Sequence, residues 1–167
     1  MLTIIVTAHQ QDLTRILNNI KSQTVQPKEV LVYYSECQVN DTLQEDFIFS
    51  EEENKNDWGH DKRAKGLTNS TQEYITFWNA DDYYDNTFVE KMLIGNDVTF
   101  CGWSTFKQPV FRLGSSTSGN YIVKTDIARK AGYNSRVYEA DGILIEDIKK
   151  LTDDIHFVDE CLYYHNK

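Results

Sequence analysis

Two strand-like runs flank a helical segment at the start of the chain, and this pattern limits the fold more than any other sequence feature. Residues 2–8 form a β-branched apolar run, typical of a strand buried on both faces of a parallel sheet. Residues 29–34 form the second run, and between them Asp12 can cap a helix whose apolar residues recur at helical spacing. The pattern predicts a right-handed β-α-β unit, in which ligands collect at the carboxyl ends of the strands.

The rest of the chain continues this alternation. We predict strands at residues 74–78, 97–102, 121–123 and 156–164, and helices at residues 60–71, 86–93, 126–131 and 142–151. Strands that alternate with helices indicate an α/β fold. We therefore expect a three-layer α/β/α sandwich around a mostly parallel sheet, formed as a single domain by residues 1–167.

The charge balance excludes some classes of partner. The 167 residues carry a formal net charge of −9 and a pI near 4.8, so we expect no direct binding to duplex nucleic acid. A bound divalent cation would still attract a negatively charged ligand. The N-terminal apolar run is too short for a signal peptide or a membrane span, so we expect a cytoplasmic protein without a membrane segment. The three widely spaced cysteines fit buried, reduced thiols in that compartment.

Four residues after the predicted strand 74–78 are the sharpest local signal for chemistry. Asn79, Ala80, Asp81 and Asp82 would bring carboxylates to the carboxyl edge of the sheet, as in sites that hold Mg²⁺ or Mn²⁺ against a diphosphate. The same residues also fit the start of a helix, where aspartates interact favourably with the helix dipole. On this segment alone both interpretations stay open.

A basic segment around Arg63 is the second candidate. Residues 57–67 include Lys62, Arg63 and Lys65, and a guanidinium fixed there can contact a phosphate or hold a neighbouring carboxylate. On spacing alone, a solvated helical face with mixed charges explains the segment better.

Together these segments resemble the inverting glycosyltransferases of family 2, which have the GT-A fold. Residues 3–9, 22–27 and 29–32 are similar to that family's first strand, SQT turn and second strand. Residues 63–67 resemble its arginine-containing helix, and residues 77–82 stand where the family carries an Asp-x-Asp metal motif. The resemblance extends over nearly the whole chain.

The resemblance implies a donor half and an acceptor half within one GT-A domain. Residues 1–85 would bind a nucleoside-diphosphate sugar, expected to be a UDP-sugar, and residues 86–167 an acceptor with a free hydroxyl. A Mn²⁺ or Mg²⁺ cofactor would be held by Asp81 and His165. The implied donor-binding residues are Thr7, Ala8, His9, Glu36, Arg63, Asn79 and Ala80. The implied acceptor-side residues are Trp103, Gly119 and Asn120.

The family's catalytic base is an aspartate of an acidic pair, which Glu139 and Asp141 resemble. An acceptor hydroxyl needs such a carboxylate to remove its proton as it attacks the anomeric carbon, and attack opposite the diphosphate inverts that carbon. Glu146 and Asp147 form the rival pair, but they fall on the polar face of a helix that reads as amphipathic. We therefore predict Asp141 as the base.

Two departures from the family pattern keep other functions open. Tyr34, Ser35 and Glu36 stand where the family has an Asp pair for the nucleoside, and Asn79 replaces the first Asp of the metal motif. A catalytically silent protein that binds a nucleotide sugar or a glycan is one alternative. A nucleotidyltransferase or phosphate-binding domain is another, but the chain has neither a GxxxxGK[ST] loop nor a GxGxxG after its first strand. A third is an interaction module with the aromatic residues 100–111 as its surface.

The chain is short for this family. Family members commonly add an acceptor-binding or membrane segment after the catalytic domain, whereas this chain ends soon after His165. We therefore expect either a small acceptor or one bound with help from a second copy or a partner chain.

Overall fold

Strands and helices alternate along the chain as the sequence predicts. The computed structural model describes residues 1–39, 46–104 and 117–165. In chain order the elements are β1 (Leu2–His9), α1 (Leu13–Lys21), β2 (Glu29–Ser35), β3 (Ile48–Glu51), α2 (His60–Asn69), β4 (Tyr74–Asn79), β5 (Tyr83–Tyr84), α3 (Phe88–Met92), β6 (Val98–Trp103), β7 (Tyr121–Lys124), α4 (Thr125–Ala131), α5 (Ala140–Lys149) and β8 (Ile155–Tyr164). Asp12 caps α1 as predicted, because its carboxylate accepts a hydrogen bond of 2.8 Å from the backbone amide of Thr14.

The strands form a sheet whose first half is parallel. Among the described residues, eight strands lie in the order β3-β2-β1-β4-β7-β6-β8-β5. β1 runs parallel to both β2 and β4, and β2 runs parallel to β3. In the second half β6 and β8 are parallel, but β7 is antiparallel to β4 and β6, and β5 is antiparallel to β8. The predicted α/β sandwich is confirmed, with its antiparallel strands gathered in the second half of the sheet.

Helices cover both faces of the sheet, which produces three layers. Ile4 of β1 belongs to a buried apolar cluster with Ile16 of α1. Ile5 points to the opposite face, because side chains alternate along a strand, and joins a second cluster with Leu67 of α2 and Leu144 of α5. All five side chains are at most 4% exposed, and each stabilises the fold by about 1.5–3 kcal/mol through burial. Burial on both faces is the reason that β1 carries consecutive apolar residues from Ile4 to Val6.

The acidic residues after β4 do not begin a helix. Asp81 and Asp82 lie in a turn that leads into β5, and α3 starts only at Phe88. The interpretation in which these carboxylates serve a helix dipole is therefore wrong. The sequence does not predict β5, because two residues are too few to show a period. This strand forms because β8 offers it a pairing partner.

The cysteines and the aromatic stretch match their predictions only in part. Cys37, Cys101 and Cys161 are free thiols, but only Cys101 is fully buried. Residues 105–111 of the aromatic stretch lie outside the described residues. Within the described ranges, no helix has both the length and the apolar character that crossing a bilayer requires.

Gly66 allows α2 to lie directly against β1. A Cβ added at Gly66 would overlap Cγ2 of Ile5 and would lie 3.2 Å from its Cγ1. The close approach brings the first turns of α2 over the carboxyl end of β1. There His60, Lys62 and Arg63 are buried.

Replacing Gly66 with alanine should lower the free energy of unfolding by about 1–3 kcal/mol, because the new methyl group would push α2 away from Ile5. The expected loss outweighs the helix propensity of alanine, which favours the substitution by about 1 kcal/mol. Urea unfolding measures the effect. In an Ile5→Ala background, where the space is free, the same substitution should no longer destabilise. A neutral Gly66→Ala variant would contradict the tight contact between α2 and β1.

Candidate active site

A cleft of about 720 Å³ opens at the carboxyl ends of β1 and β4. The strand order reverses here, because β2 and β3 extend from one side of β1 while β4 lies on the other. Such switch points are where open α/β sheets bind ligands, and the volume suits a small molecule. The predicted residues that line the cleft are Thr7, Ala8, His9, Arg63, Asn79, Asp81, Trp103, Glu139, Asp141 and His165.

Two predicted donor-binding residues lie outside the lining of this cleft. Glu36 is exposed in a left-handed conformation with a φ of 55°, and its carboxylate accepts a hydrogen bond of 2.6 Å from the Gln10 side chain. Ala80 is buried, and its amide donates to the Thr7 carbonyl at 3.1 Å. Glu36 is directed elsewhere by its turn, and Ala80 fastens the acidic turn to β1.

The two predicted acceptor-side residues Gly119 and Asn120 also lie outside the lining. A Cβ at Gly119 would overlap the ring of Tyr163. Asn120 is fully buried, and its side chain accepts from the Thr117 amide and donates to a backbone carbonyl of β6, both at 3.2 Å. This Gly-Asn turn therefore supports Thr117 and Ser118, which do line the cleft.

Arg63 is buried beneath the cleft, so the alternative of a solvated helical face does not hold for it. Its Nη2 donates to Asn79 Oδ1 at 2.6 Å, and its Nη1 donates to the Trp58 carbonyl at 2.9 Å. Nη1 also lies 4.0 Å from Oδ1 of Asp141. Burial by itself lowers the pKa of the guanidinium, but the Asp141 carboxylate outweighs this effect and the pKa of Arg63 is raised. One fixed positive charge thus connects β4, the turn before α2 and the start of α5.

Asn79 and Asp82 form a hydrogen-bonded pair under the acidic turn. Asn79 accepts from Arg63 through Oδ1, and its Nδ2 donates to Asp82 Oδ2 at 2.8 Å. Asp82 is 1% exposed and also accepts from the Tyr163 hydroxyl at 2.8 Å and from His165 Nδ1 at 3.0 Å. The Asn79 amide therefore links Arg63 to Asp82. Asp82 in turn orients Tyr163 of the last strand and His165 just after that strand.

Asp81 and His165, the two predicted metal ligands, both line the cleft. Burial raises the pKa of the Asp81 carboxyl, and the charge of the adjacent Asp82 raises it further. The hydrogen bond from His165 Nδ1 to Asp82 fixes the imidazole with Nε2 on its opposite edge. A carboxylate commonly orients a metal-binding histidine in this way.

These two ligands fit a divalent cation that is shared with a bound molecule. Within the described part of the chain, no three His, Cys, Asp or Glu side chains form a group that could hold a metal ion. Mg²⁺ at nucleotide sites typically uses one or two carboxylates and takes its other ligands from phosphates and water, and Mn²⁺ also prefers such oxygen ligands. Asp81 and His165 therefore suit a cation that completes its coordination with a diphosphate.

Asp141 reaches the cleft from the first turn of α5. The helix begins at Ala140, slightly earlier than predicted, so the positive end of its dipole favours a carboxylate at this position. The Tyr133 hydroxyl donates a hydrogen bond to Asp141 Oδ1, and 22% of the Asp141 side chain stays exposed. Glu139, just before the helix, lines the same wall.

His60 connects Arg63 with Tyr133 beneath Asp141. Its Nδ1 lies 3.2 Å from Arg63 Nη1 and 3.0 Å from the Tyr133 hydroxyl oxygen. A guanidinium can only donate and the Tyr133 proton goes to Asp141, so Nδ1 of the neutral ring either accepts from Arg63 or donates to the Tyr133 oxygen. Burial lowers the pKa of His60, although the Asp141 carboxylate acts to raise it. No sequence motif joins His60 to Tyr133, so the sequence predicts neither as a site residue.

Three further residues of the cleft have no role in the sequence prediction. Lys62 is buried, and its ammonium donates to Ser35 Oγ at 2.7 Å and to the Ala8 carbonyl at 3.2 Å. Burial lowers the pKa of this ammonium. Trp58 and Tyr138, by contrast, are exposed at the cleft. A basic helical pattern does not distinguish a buried lysine from a solvated one, and a single exposed aromatic residue has no sequence signature.

The pKa of His60 gives the free energy of unfolding a specific pH dependence. A histidine whose pKa is lower in the folded state leaves the unfolded chain with more bound protons, so stability is full above about pH 6.5 and falls below it by up to about 1.4 kcal/mol per pH unit. His60→Gln should therefore lose less stability than wild type between about pH 7.5 and about pH 5, as measured by urea unfolding. The matched control is His156→Gln, at an exposed position. Parallel curves for wild type and His60→Gln would contradict a buried neutral ring.

Comparisons with known proteins identify structural but not sequence relatives. No protein-family model and no curated protein sequence matches the chain. S. aureus TarS is 18% identical and superposes with a TM-score of 0.75 over 99% of this chain and 36% of that chain. TarS 1-349 in complex with UDP-GlcNAc is 18% identical, with a TM-score of 0.70 over 99% of this chain and 58% of that one. Glucosyl-3-phosphoglycerate synthase from Mycobacterium tuberculosis, in complex with Mn²⁺, UDP and phosphoglyceric acid, is 14% identical, with a TM-score of 0.66 over 100% of this chain and 71% of that one.

These matches show similarity of the backbone fold and not of the sequence. The chain spans little more than a third of the TarS chain, and the identities are low. The superposition nevertheless covers nearly every residue of this chain in each case. The chain therefore has the GT-A fold that its sequence motifs predict.

Proposed function

We propose that the protein is a glycosyltransferase that moves a sugar from a nucleoside-diphosphate donor, a UDP-sugar, to an acceptor hydroxyl with inversion. The observation that carries this proposal is that Asp81 and Asp141 line the same cleft at the switch point of the sheet. Solved structures with this fold include complexes with UDP, with UDP-GlcNAc, and with Mn²⁺ and UDP together. Residues 1–85 would form the donor half and residues 86–167 the acceptor half.

The donor diphosphate is assigned to the side of the cleft that holds Asp81 and His165. When bound there, Mn²⁺ or Mg²⁺ would neutralise charge on the departing diphosphate. Arg63 would add a fixed positive charge that is already oriented before the donor arrives, since its hydrogen bonds to Asn79 and the Trp58 carbonyl hold it in place. The ends of β1 and β4 would form the floor under the nucleotide.

Asp141 is assigned as the base. Tyr133 engages its Oδ1, so Oδ2 would take the proton from the acceptor hydroxyl while that oxygen bonds to the anomeric carbon. The bond from that carbon to the diphosphate breaks, and the diphosphate leaves with the electron pair. The rival residues Glu146 and Asp147 pair with Lys149 and Lys150 at the end of α5 and lie outside the cleft lining, which favours Asp141.

The second candidate is a catalytically silent protein that binds a nucleotide sugar or a glycan in the same cleft. It is favoured by Asn79, whose amide is engaged by Arg63, Thr7 and Asp82 and contributes no carboxylate to a metal. The two candidates share the cleft and differ in whether Asp141 transfers a proton.

Replacing Asp141 with asparagine should reduce kcat by about 100-fold or more, because an amide does not accept the proton of the acceptor hydroxyl. Binding of UDP should change little. UDP release from UDP-, GDP- and dTDP-sugars in the presence of Mn²⁺ measures turnover, and NMR of the product reports whether the anomeric centre is inverted. Asp147→Asn is the matched control, since Asp147 is a carboxylate of the same helix that pairs with Lys150. If wild type and both variants bind donor and are equally inactive, the silent candidate is correct.

Removing divalent metal with EDTA should weaken UDP binding by about tenfold or more, because the diphosphate would then face the Asp81 carboxylate directly. Adding Mn²⁺ or Mg²⁺ should restore the affinity. In Asp81→Asn the affinity for UDP should depend much less on metal. Isothermal titration calorimetry with UDP tests both statements, and equal affinities of wild type with and without metal would exclude a metal cofactor at Asp81.

A further inference from the structure

Two large aromatic side chains stay exposed at the cleft. Trp58 and Tyr138 are 60% and 71% exposed, although both line the cleft. Their rings contact each other edge to face, with centroids 5.6 Å apart and an interplanar angle of 77°. In the described part of the chain they are the only aromatic side chains among the exposed large hydrophobic ones. An exposed aromatic pair in a cleft commonly marks a binding surface.

The backbone holds Trp58 in this exposed position. Trp58 has a φ of 55°, a left-handed conformation that is unfavourable for a tryptophan. The turn is fixed by Asp57, whose carboxylate accepts from the amides of Gly59 at 3.1 Å and Asp61 at 2.7 Å. It is fixed a second time by Arg63, which donates to the Trp58 carbonyl at 2.9 Å. Strained and over-determined backbone of this kind is concentrated at functional sites.

The aromatic pair lies on the side of the cleft that belongs to the proposed base. Tyr138 precedes Glu139 and the first turn of α5, which carries Asp141. Nη1 of Arg63 binds the Trp58 carbonyl and is 4.0 Å from Asp141 Oδ1. A molecule that stacks on Trp58 and Tyr138 would therefore present its edge toward Asp141.

The polar surroundings of the pair fit a sugar. Asn54 and Asn56, shortly before Trp58 in sequence, also line the cleft, as does Glu139, which directly follows Tyr138. A pyranose has a face of C–H groups that can lie on an aromatic ring and a rim of hydroxyls that can bind amides and carboxylates. The formal net charge of −9 opposes a polyanionic acceptor.

We propose that Trp58 and Tyr138 form an acceptor subsite that binds a sugar ring by stacking, so that the acceptor is a neutral glycan or glycoside. The proposal rests on the proposed glycosyltransferase function, because it assigns the acceptor of that reaction. It makes a prediction about binding that does not require turnover.

The test uses the protein with UDP and Mn²⁺ and a panel of neutral probes: methyl glycosides, maltotriose, cellotriose and chitotriose. Acrylamide quenching of tryptophan fluorescence reports mainly on Trp58, because Trp78 is fully buried and Trp103 is partly buried. At least one sugar should protect the Trp58 fluorescence from acrylamide. A Trp58 variant lacks this signal, so the sugar affinities of wild type and of the variants are compared by calorimetry.

Trp58→Gly should weaken binding of that sugar by about tenfold or more, and Tyr138→Ala should also weaken it. Glycine suits the left-handed φ of 55° at this position, so the variant should melt no lower than wild type and a loss of binding does not reflect misfolding. Ile94→Ala, which removes an exposed apolar side chain outside the cleft, should leave sugar binding unchanged.

The outcomes separate this inference from the proposed function. Sugar binding that depends on Trp58, in a protein that transfers no sugar, supports the subsite and contradicts the glycosyltransferase. Sugar transfer to a peptide or a lipid, with no glycan of the panel bound, overturns the subsite and leaves the glycosyltransferase standing. Equal sugar affinity of wild type and Trp58→Gly also overturns the subsite.

Discussion

Burying the guanidinium of Arg63 removes a permanent charge from water, which destabilises a fold by several kcal/mol unless the charge is paired and hydrogen-bonded. Here the partners come from three separate parts of the chain: the Trp58 carbonyl, the Asn79 amide and the Asp141 carboxylate. Losing any one partner would leave the buried charge incompletely compensated. The charge therefore couples the turn before α2, the end of β4 and the start of α5 into one rigid unit, and the cleft takes its shape from that unit.

The same charge lets two acidic centres exist in one cleft. Arg63 acts to lower the pKa of Asp81, against the larger effects of burial and Asp82, and it lies beside Asp141. A cation placed between two carboxylates reduces their mutual repulsion. In the proposed transferase Asp81 would serve a metal-bound diphosphate and Asp141 would serve proton transfer, so the two tasks would be separated by position rather than by residue type.

How well the sequence predicts each part of the site depends on whether that part is formed by residues close together or far apart in the chain. Periodicity and capping are local, so β1, α1 and the cap at Asp12 were predictable, and strand ends at a common edge brought Asp81 near Arg63. The family resemblance added Asp141 and His165. Interactions between distant residues leave no local pattern: the links from His60 to Tyr133 and from Asn79 to Asp82, and the buried state of Lys62, depend on packing that only the folded chain defines. Glu36 lies outside the cleft lining for a related reason, since a left-handed turn and one hydrogen bond direct its side chain to Gln10.

The place of β8 in the sheet has a consequence for local stability. β8 is the last element in chain order, yet it lies between β6 and β5, and its end carries the histidine that contacts Asp82. β5 has its sheet partner in β8, so undocking of β8 would release the acidic turn as well. Any molecule that binds through both Asp81 and His165 must then oppose this local opening, since it binds only the docked form. Binding in the cleft should therefore slow amide exchange in β8, because part of the binding free energy stabilises the pairing of β8 with β5 and β6.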